Sequence, residues 1–219
     1  MTPESVEELL RSENFGDRIR AVNQIRQLDP AQGFALLQLV LKDRNVRVRY
    51  AAVSQMSTLG SQDLDQAISL LREGLQDPEP DVQAAAADSI AALKLTAAFD
   101  DLETLYHATS EWLVQFSIVA ALGELGDSRA FPLLEAALNS GNDLLQTAAI
   151  GSLGELGDVR AVDLLLPFVS NSDWQVRHRL AQALGRLGTA EAKTALVTLA
   201  EDAVQPVADE AKAALQLSA

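Results

Sequence analysis

The segment Leu125-Gly126-Asp127 returns as Leu156-Gly157-Asp158, 31 residues later. Ahead of the first copy, Ala121-Leu122-Gly123-Glu124 matches Ser152-Leu153-Gly154-Glu155, and Leu184-Gly185-Arg186-Leu187-Gly188 carries the series one period further. A fixed period of this length marks stacked supersecondary modules. One module cannot bury its apolar face alone, and its neighbours in the stack bury it instead. The period leaves room for two helices and their turns, so the chain reads as an all-α solenoid. Such folds offer a long surface to a partner, and partner binding is therefore expected ahead of a buried catalytic pocket.

Aligning the second helix of each module on its last leucine extends the repeat along the chain. The leucines are Leu28, Leu59, Leu93, Leu125, Leu156 and Leu187, spaced by 31, 34, 32, 31 and 31 residues. Eleven positions earlier stand Asp17, Val48, Val82, Val114, Leu145 and Val176, taken as the helix starts. Four and eight positions after these come Ala21, Ala52, Ala86, Ile118, Ala149, Leu180 and then Ile25, Met56, Ile90, Leu122, Leu153, Leu184. Offsets 0, 4, 8 and 11 share one side of a helix with about 3.6 residues per turn, so this stripe is the expected core. First helices are expected over 4–11, 34–41, 64–75, 99–106, 131–138, 162–169 and 192–199, with a last second helix from Pro206 to Leu217. Asp-Pro turns (Asp29-Pro30, Asp77-Pro78) and Gly-Asp turns separate them. The expectation is about seven stacked helical pairs in a single domain, 1–219.

Charge and composition narrow the function. Residues 1–50 carry eight Lys/Arg and seven acids, and the remainder nine and 24, so the net charge of −14 divides as +1 and −15. A general nucleic-acid partner needs a broad basic footprint and is not expected. The absence of cysteine removes disulfides, thiolate metal ligands and a thioether-linked cofactor. With His107 and His178 the only histidines, no metal site is expected. No apolar run reaches membrane-span length. The opening Met1-Thr2-Pro3-Glu4-Ser5 does not read as a secretory signal. A cytoplasmic protein, working as a monomer, is the expectation.

The residues that resemble a known family are the Leu-Gly-x-Leu-Gly-Asp-x-Arg-Ala segments at 122–130 and 153–161, with a partial match at 184–190. Asp43…Val48-Arg49 and Asp173…Val176-Arg177 open second helices in the same style. These resemble the HEAT-like repeats of the phycobilisome lyase type, over nearly the whole chain. The opening residues and the segment from Leu105 to Phe116 are similar to the NblB family of cyanobacterial phycobilisome-degradation proteins. The resemblance implies an adaptor that binds phycobiliproteins during antenna breakdown. It leaves two alternatives open: a bilin lyase-like enzyme, and a chaperone for an iron-sulfur or other cofactor-carrier protein. No cofactor is expected to be covalently bound, and a phycobilin is the implied transient ligand. The family supplies no catalytic motif that maps onto this chain, so no catalytic residue is assigned.

Candidate contact residues come from the side of each second helix opposite the stripe. Offset 2 there reads Ile19, Tyr50, Ala84, Phe116, Thr147, His178, and offset 9 holds Gly123, Gly154 and Gly185. The glycines are read as packing positions, since a mid-helix glycine costs about 0.5–1 kcal/mol relative to alanine and needs a compensating gain. Trp112 and Trp174 fill one repeat slot, two positions before the presumed helix starts. They are either staples packed on their own helices or binding anchors. Tyr106 and His107 close a first helix nearby, and an imidazole there suits hydrogen bonding to a bilin propionate. His178 and Arg179 beside Trp174 form a basic-aromatic cluster in the acidic half. The expected ligand or partner surface is thus Trp112, Phe116, Trp174, His178, Arg179, Tyr106, His107 and Tyr50. Lys42, Arg44 and Arg47 form an expected charged partner patch. Arg49 and Arg177 are expected to pair with Asp43 and Asp173 inside their own repeats.

Overall fold

The computed structural model describes residues 2–217, so Met1, Ser218 and Ala219, including the ends of the expected domain, lie outside the described residues. Among the described residues there are fourteen α-helices, four short 3-10 segments and no strand. The first helices of the repeats are α1 (Pro3–Leu10), α3 (Pro30–Gln38), α5 (Leu64–Gly74), α7 (Phe99–Ala108), α9 (Phe131–Leu138), α11 (Ala161–Leu165) and α13 (Ala190–Leu199). The second helices are α2 (Phe15–Ile25), α4 (Val46–Leu59), α6 (Pro80–Ala92), α8 (Trp112–Leu125), α10 (Asp143–Leu156), α12 (Trp174–Leu187) and α14 (Gln205–Leu217). These are seven pairs in an all-α solenoid class. They group into two compact units with the boundary between Ile118 and Val119, inside α8.

The second helices start two residues earlier than the stripe alone suggests, and the cause is capping. Asn14, Asn45, Asn142 and Asp173 accept hydrogen bonds from the backbone amides of Gly16, Arg47, Leu144 and Gln175. A helix begins directly after its capping side chain, whatever the first buried residue is. The first apolar contact therefore falls a half-turn inside, and the expected starts at Asp17 through Val176 are third helical residues. Trp112 and Trp174 consequently open their helices instead of preceding them. One expected first helix is also broken. After Leu165 the chain tightens into a 3-10 segment, Leu166–Ser170, because Pro167 offers no amide and its ring crowds the preceding turn.

The apolar stripe is the core. Val48, Ala52, Met56, Val114, Ile118, Leu122, Ala149, Leu153, Leu180 and Leu184 are completely buried. The buried face is wider than four positions, since offset 5 (Val22, Val53, Ala87, Val119, Ile150, Ala181) is buried too. In the C-terminal unit successive second helices approach closely at the offset-9 glycines. A Cβ on Gly123 would stand 2.5 Å from the Ser152 Cα, and one on Gly154 2.5 Å from the Ala183 Cα. On Gly185 it would meet the Ala214 Cβ at 2.7 Å. Packing is thus what these glycines provide. Gly157 and Gly188 end α10 and α12 with φ of 72° and 64°, the left-handed geometry that glycine adopts without a Cβ penalty.

Largely buried ion pairs link repeats, which corrects the expected pairing within each repeat. Arg49 binds Asp77 of the following repeat through two hydrogen bonds of 2.7 and 2.9 Å, while only the backbone carbonyl of Asp43 accepts from it. Arg177 binds Asp202 at 2.6 and 3.0 Å, leaving Asp173 as a cap. Arg18, absent from the sequence expectation, clamps Asp43 at 2.6 and 2.8 Å with both side chains under 10% exposed. Each aspartate also accepts an amide of its own loop: Asn45, Glu79 or Val204. A bidentate guanidinium–carboxylate fork fixes distance and orientation together. In the intervening repeats Gln83, Gln115 and Gln146 fill the arginine position and donate to the backbone carbonyls of Asp77, Thr109 and Leu138.

Burial alone would raise the Asp43 carboxyl. The Arg18 fork and the Asn45 amide outweigh it and hold the group below its ordinary value of 3.8. A depressed folded-state pKa contributes stability above the unfolded value and loses it as pH falls through the folded one. Asp43→Ala leaves the Arg18 guanidinium buried without its carboxylate, and a loss of about 3–5 kcal/mol is expected near neutral pH. The gap to the wild type should close as pH falls below about 4. Urea titrations of both proteins across that range check it; a gap independent of pH would remove the ion pair as its source. A second set of variants checks the packing. Leu153→Ala should cost about 2–5 kcal/mol and Gly154→Ala about 1–3 kcal/mol by overpacking. Exposed Val197→Ala should stay within about 0.5 kcal/mol.

Candidate functional site

In the C-terminal unit, the faces of α10, α12 and α14 away from the core bound a groove of about 540 Å³. Its lining includes Thr147, Trp174, His178, Arg179, Gln182 and Pro206. Trp174 projects here because Asp173 caps α12 and makes the indole the first helical side chain, 42% exposed. One turn on, His178 meets it edge-to-face, with ring centroids 6.5 Å apart. The His178 Nε2 lies 3.7 Å from the Glu210 Oε2 of α14, beyond hydrogen-bond distance. Arg179 crosses α10 at Gly151, where a Cβ would stand 3.1 Å from the Arg179 Cδ. Its guanidinium makes no hydrogen bond or ion pair among the described residues. The groove therefore offers an aromatic face, an imidazole and an uncompensated cation, chemistry suited to a flat or apolar group carrying a carboxylate.

The N-terminal unit holds the other expected residues. Trp112 opens α8 and is 56% exposed, so neither tryptophan is a buried staple. Phe116, one turn further, is half-buried. Tyr106 is the exception to the expected surface: it is buried, and that burial pushes its phenol above the ordinary range. Its partner His107 is exposed and packs edge-on to it at 5.4 Å. Tyr50 is exposed and borders a second cavity with Arg47. Lys42, Arg44 and Arg47 do not form one free patch. Lys42 pairs with Glu73 at 2.7 Å and Arg44 with Glu13, so two of the three charges are neutralised locally. Phe15 was not singled out from the sequence, although it fills the same helix-opening slot as the tryptophans and is 44% exposed. Among the described residues no cluster of three His, Asp or Glu side chains could hold a metal ion. No helix there is long and apolar enough to cross a membrane.

The family model for HEAT repeats matches residues 2–78, 68–150 and 132–216. The chain belongs to the HEAT-repeat family. No curated protein matches it. Among solved structures, this HEAT-repeat protein is similar to one described as the complex of CpcE and CpcF of phycocyanin lyase from Nostoc sp. The TM-score is 0.64 at 21% identity, covering all of this chain and 95% of that one. It is also similar to YibA of Escherichia coli (TM-score 0.69, 17% identity, 98% of this chain and 81% of that one). A third is the Kap95p structure with RanGDP (TM-score 0.61, 13% identity, 97% and 34% of the two chains). At these identities the likeness establishes the fold.

Because the indole is held at a capped helix start and not in the core, Trp174→Ala should change stability by less than about 1 kcal/mol. Thermal unfolding followed by far-UV circular dichroism measures this. A loss of about 3 kcal/mol or more would instead mark Trp174 as part of the packing.

Proposed function

We propose that this HEAT-repeat protein is an adaptor that docks a phycobiliprotein through the Trp174–His178–Arg179 groove and serves antenna breakdown. The observation that carries the reading is an exposed tryptophan beside a guanidinium without a partner, on a groove-lining helix. Exposed aromatic area that is cheap to order is what binding anchors use. The Arg179 guanidinium would take a carboxylate, from an acidic side chain or from a bilin propionate, with two parallel hydrogen bonds. The choice of a phycobiliprotein rests on the Leu-Gly-x-Leu-Gly-Asp-x-Arg-Ala resemblance and on the likeness to the phycocyanin lyase complex. The protein would act as a monomer in the cytoplasm, with any pigment held transiently.

A second reading, a bilin lyase-like activity, draws on the His178–Glu210 pair, 3.7 Å apart between α12 and α14. An imidazole and a carboxylate at this separation could hold or relay a proton at a pigment bound against Trp174.

Mixing the protein with holo-phycocyanin, then following co-elution and visible absorbance together, separates the readings. Co-elution with unaltered absorbance is the expected result, and Trp174→Ala should weaken it by about 2 kcal/mol or more, some thirtyfold in Kd. Loss of bilin absorbance on mixing would favour the lyase. No co-elution and no spectral change would overturn both, and the same assay with an iron-sulfur carrier protein would then take its place.

A further inference from the structure

The N-terminal unit carries a second cavity, of about 440 Å³, over the N-terminal halves of α4, α6 and α8. Its floor is Ala84 and Ala85 of α6, both buried, bordered by the carboxylates of Asp81 and Asp88 on the same helix. Tyr50 and Arg47 of α4 form one wall, Leu113 and Ser117 of α8 the other. The repeat explains the trough. At the position where α6 has Ala84, α4 has Tyr50 and α8 has Phe116. One second helix is thus trimmed to alanine between two that keep large aromatic side chains. Packed helices lie about 8–10 Å apart, so the flanking helices leave a channel whose width suits one helix of about 10–12 Å diameter.

The charge at the rim is equally particular. Arg47 stands in the first turn of α4, where the helix dipole disfavours a cation. At the same repeat position the other second helices up to α12 have Gly16, Asp81, Leu113, Leu144 and Gln175. The Arg47 side chain makes no hydrogen bond or ion pair among the described residues. A carboxylate brought there by a partner would meet both the Arg47 guanidinium and the positive end of the helix dipole. Asp81, on the neighbouring helix at the same rim, also has no ion pair among the described residues.

We propose that this trough is a docking site for an amphipathic helix of a protein partner. The helix would lay an aliphatic stripe on Ala84, Ala85 and Leu113, pack its flank on the Tyr50 ring and direct a glutamate or aspartate to Arg47. A lysine one turn from that acid would face Asp81. The site is independent of the groove at Trp174 and does not rest on the reading given for it.

The test uses the full chain and two synthetic Ala/Leu helical peptides of about 16 residues, long enough to span roughly 24 Å. One carries a glutamate and a lysine at i and i+4 beside the leucine stripe; the other has the two charges exchanged. Amide NMR shifts are followed in titrations of the wild type, Arg47→Glu, Tyr50→Ala and Trp174→Ala, each checked for fold by circular dichroism. The first peptide should shift the amides of Tyr50, Ala84, Ala85 and Ser117 saturably. Binding should weaken at least about tenfold in Arg47→Glu, consistent with loss of a charge-assisted contact. On the double variant Arg47→Glu/Asp81→Lys, titrated alongside these, the exchanged peptide should regain affinity, and Trp174→Ala should bind as the wild type does. The proposal is overturned if no saturable shift occurs, if shifts map elsewhere, or if Arg47→Glu leaves the affinity of both peptides unchanged. Concentration-dependent shifts of the same amides without peptide would assign the face to self-association and overturn it equally.

Discussion

A two-helix repeat has too small an interior to hold itself together, so everything in this chain depends on the face that each second helix lends to the next. The completely buried positions are spread evenly: Val48, Ala52 and Met56 on α4, Val114, Ile118 and Leu122 on α8, Leu180 and Leu184 on α12. Their burial supplies the non-directional part of the stability. The offset-9 glycines set how near the helices of the C-terminal unit can come, and the Arg–Asp forks set how they are aligned. Burial tolerates sliding; a bidentate fork does not. The two kinds of contact therefore do different work, one holding the repeats together and the other holding their register.

That division leaves the opposite side of the second helices unconstrained. Side chains there take no part in the Arg–Asp forks, and they vary from alanine to tyrosine and phenylalanine at equivalent positions, as at Ala84, Tyr50 and Phe116. Both cavities arise from this freedom. In the C-terminal unit Gly151 makes room for Arg179 to lie across α10. In the N-terminal unit Ala84 and Ala85 lower the floor between aromatic neighbours. A repeat scaffold of this sort builds a recognition site by subtraction as much as by addition, a small residue in one module exposing the flanks of the next.

The all-α solenoid class and the core stripe were legible in the sequence because both follow from a period, and a period needs no partner to be seen. Helix starts were misplaced because the stripe reports burial, whereas a start is set by the capping side chain three residues earlier, as at Asn45 and Asp173. The ion pairs were drawn inside repeats because sequence proximity favoured Asp43 for Arg49; the stacked repeat brings Asp77 nearer. Tyr106 looked available at a helix end, yet its ring turns into the core. Of the expected surface, the exposure of Tyr50 followed from its offset, whereas the slot of Trp112 and Trp174 left staple and anchor open, and their exposure is seen only in the structure. The neutralisation of Lys42 by Glu73 and of Arg44 by Glu13 could not, since neither pair is periodic.

The arginine and aspartate of each fork sit in consecutive repeats, and the sequence keeps them matched. Arg18, Arg49 and Arg177 are each followed, one repeat on, by Asp43, Asp77 and Asp202 in the loop position. Gln83, Gln115 and Gln146 are followed there by Thr109, Ser140 and Asn171. A repeat ending the donor side therefore specifies which loop may succeed it. Duplication of, or exchange between, the Gln115 and Gln146 repeats, whose own loops carry Thr109 and Ser140, joins neutral to neutral and leaves no charge stranded. Cutting the chain after an arginine repeat, or inserting a neutral one there, would bury a guanidinium without its counterion. The middle of the chain is thus the stretch open to growth by recombination, while its outer repeats can be inherited only as matched neighbours.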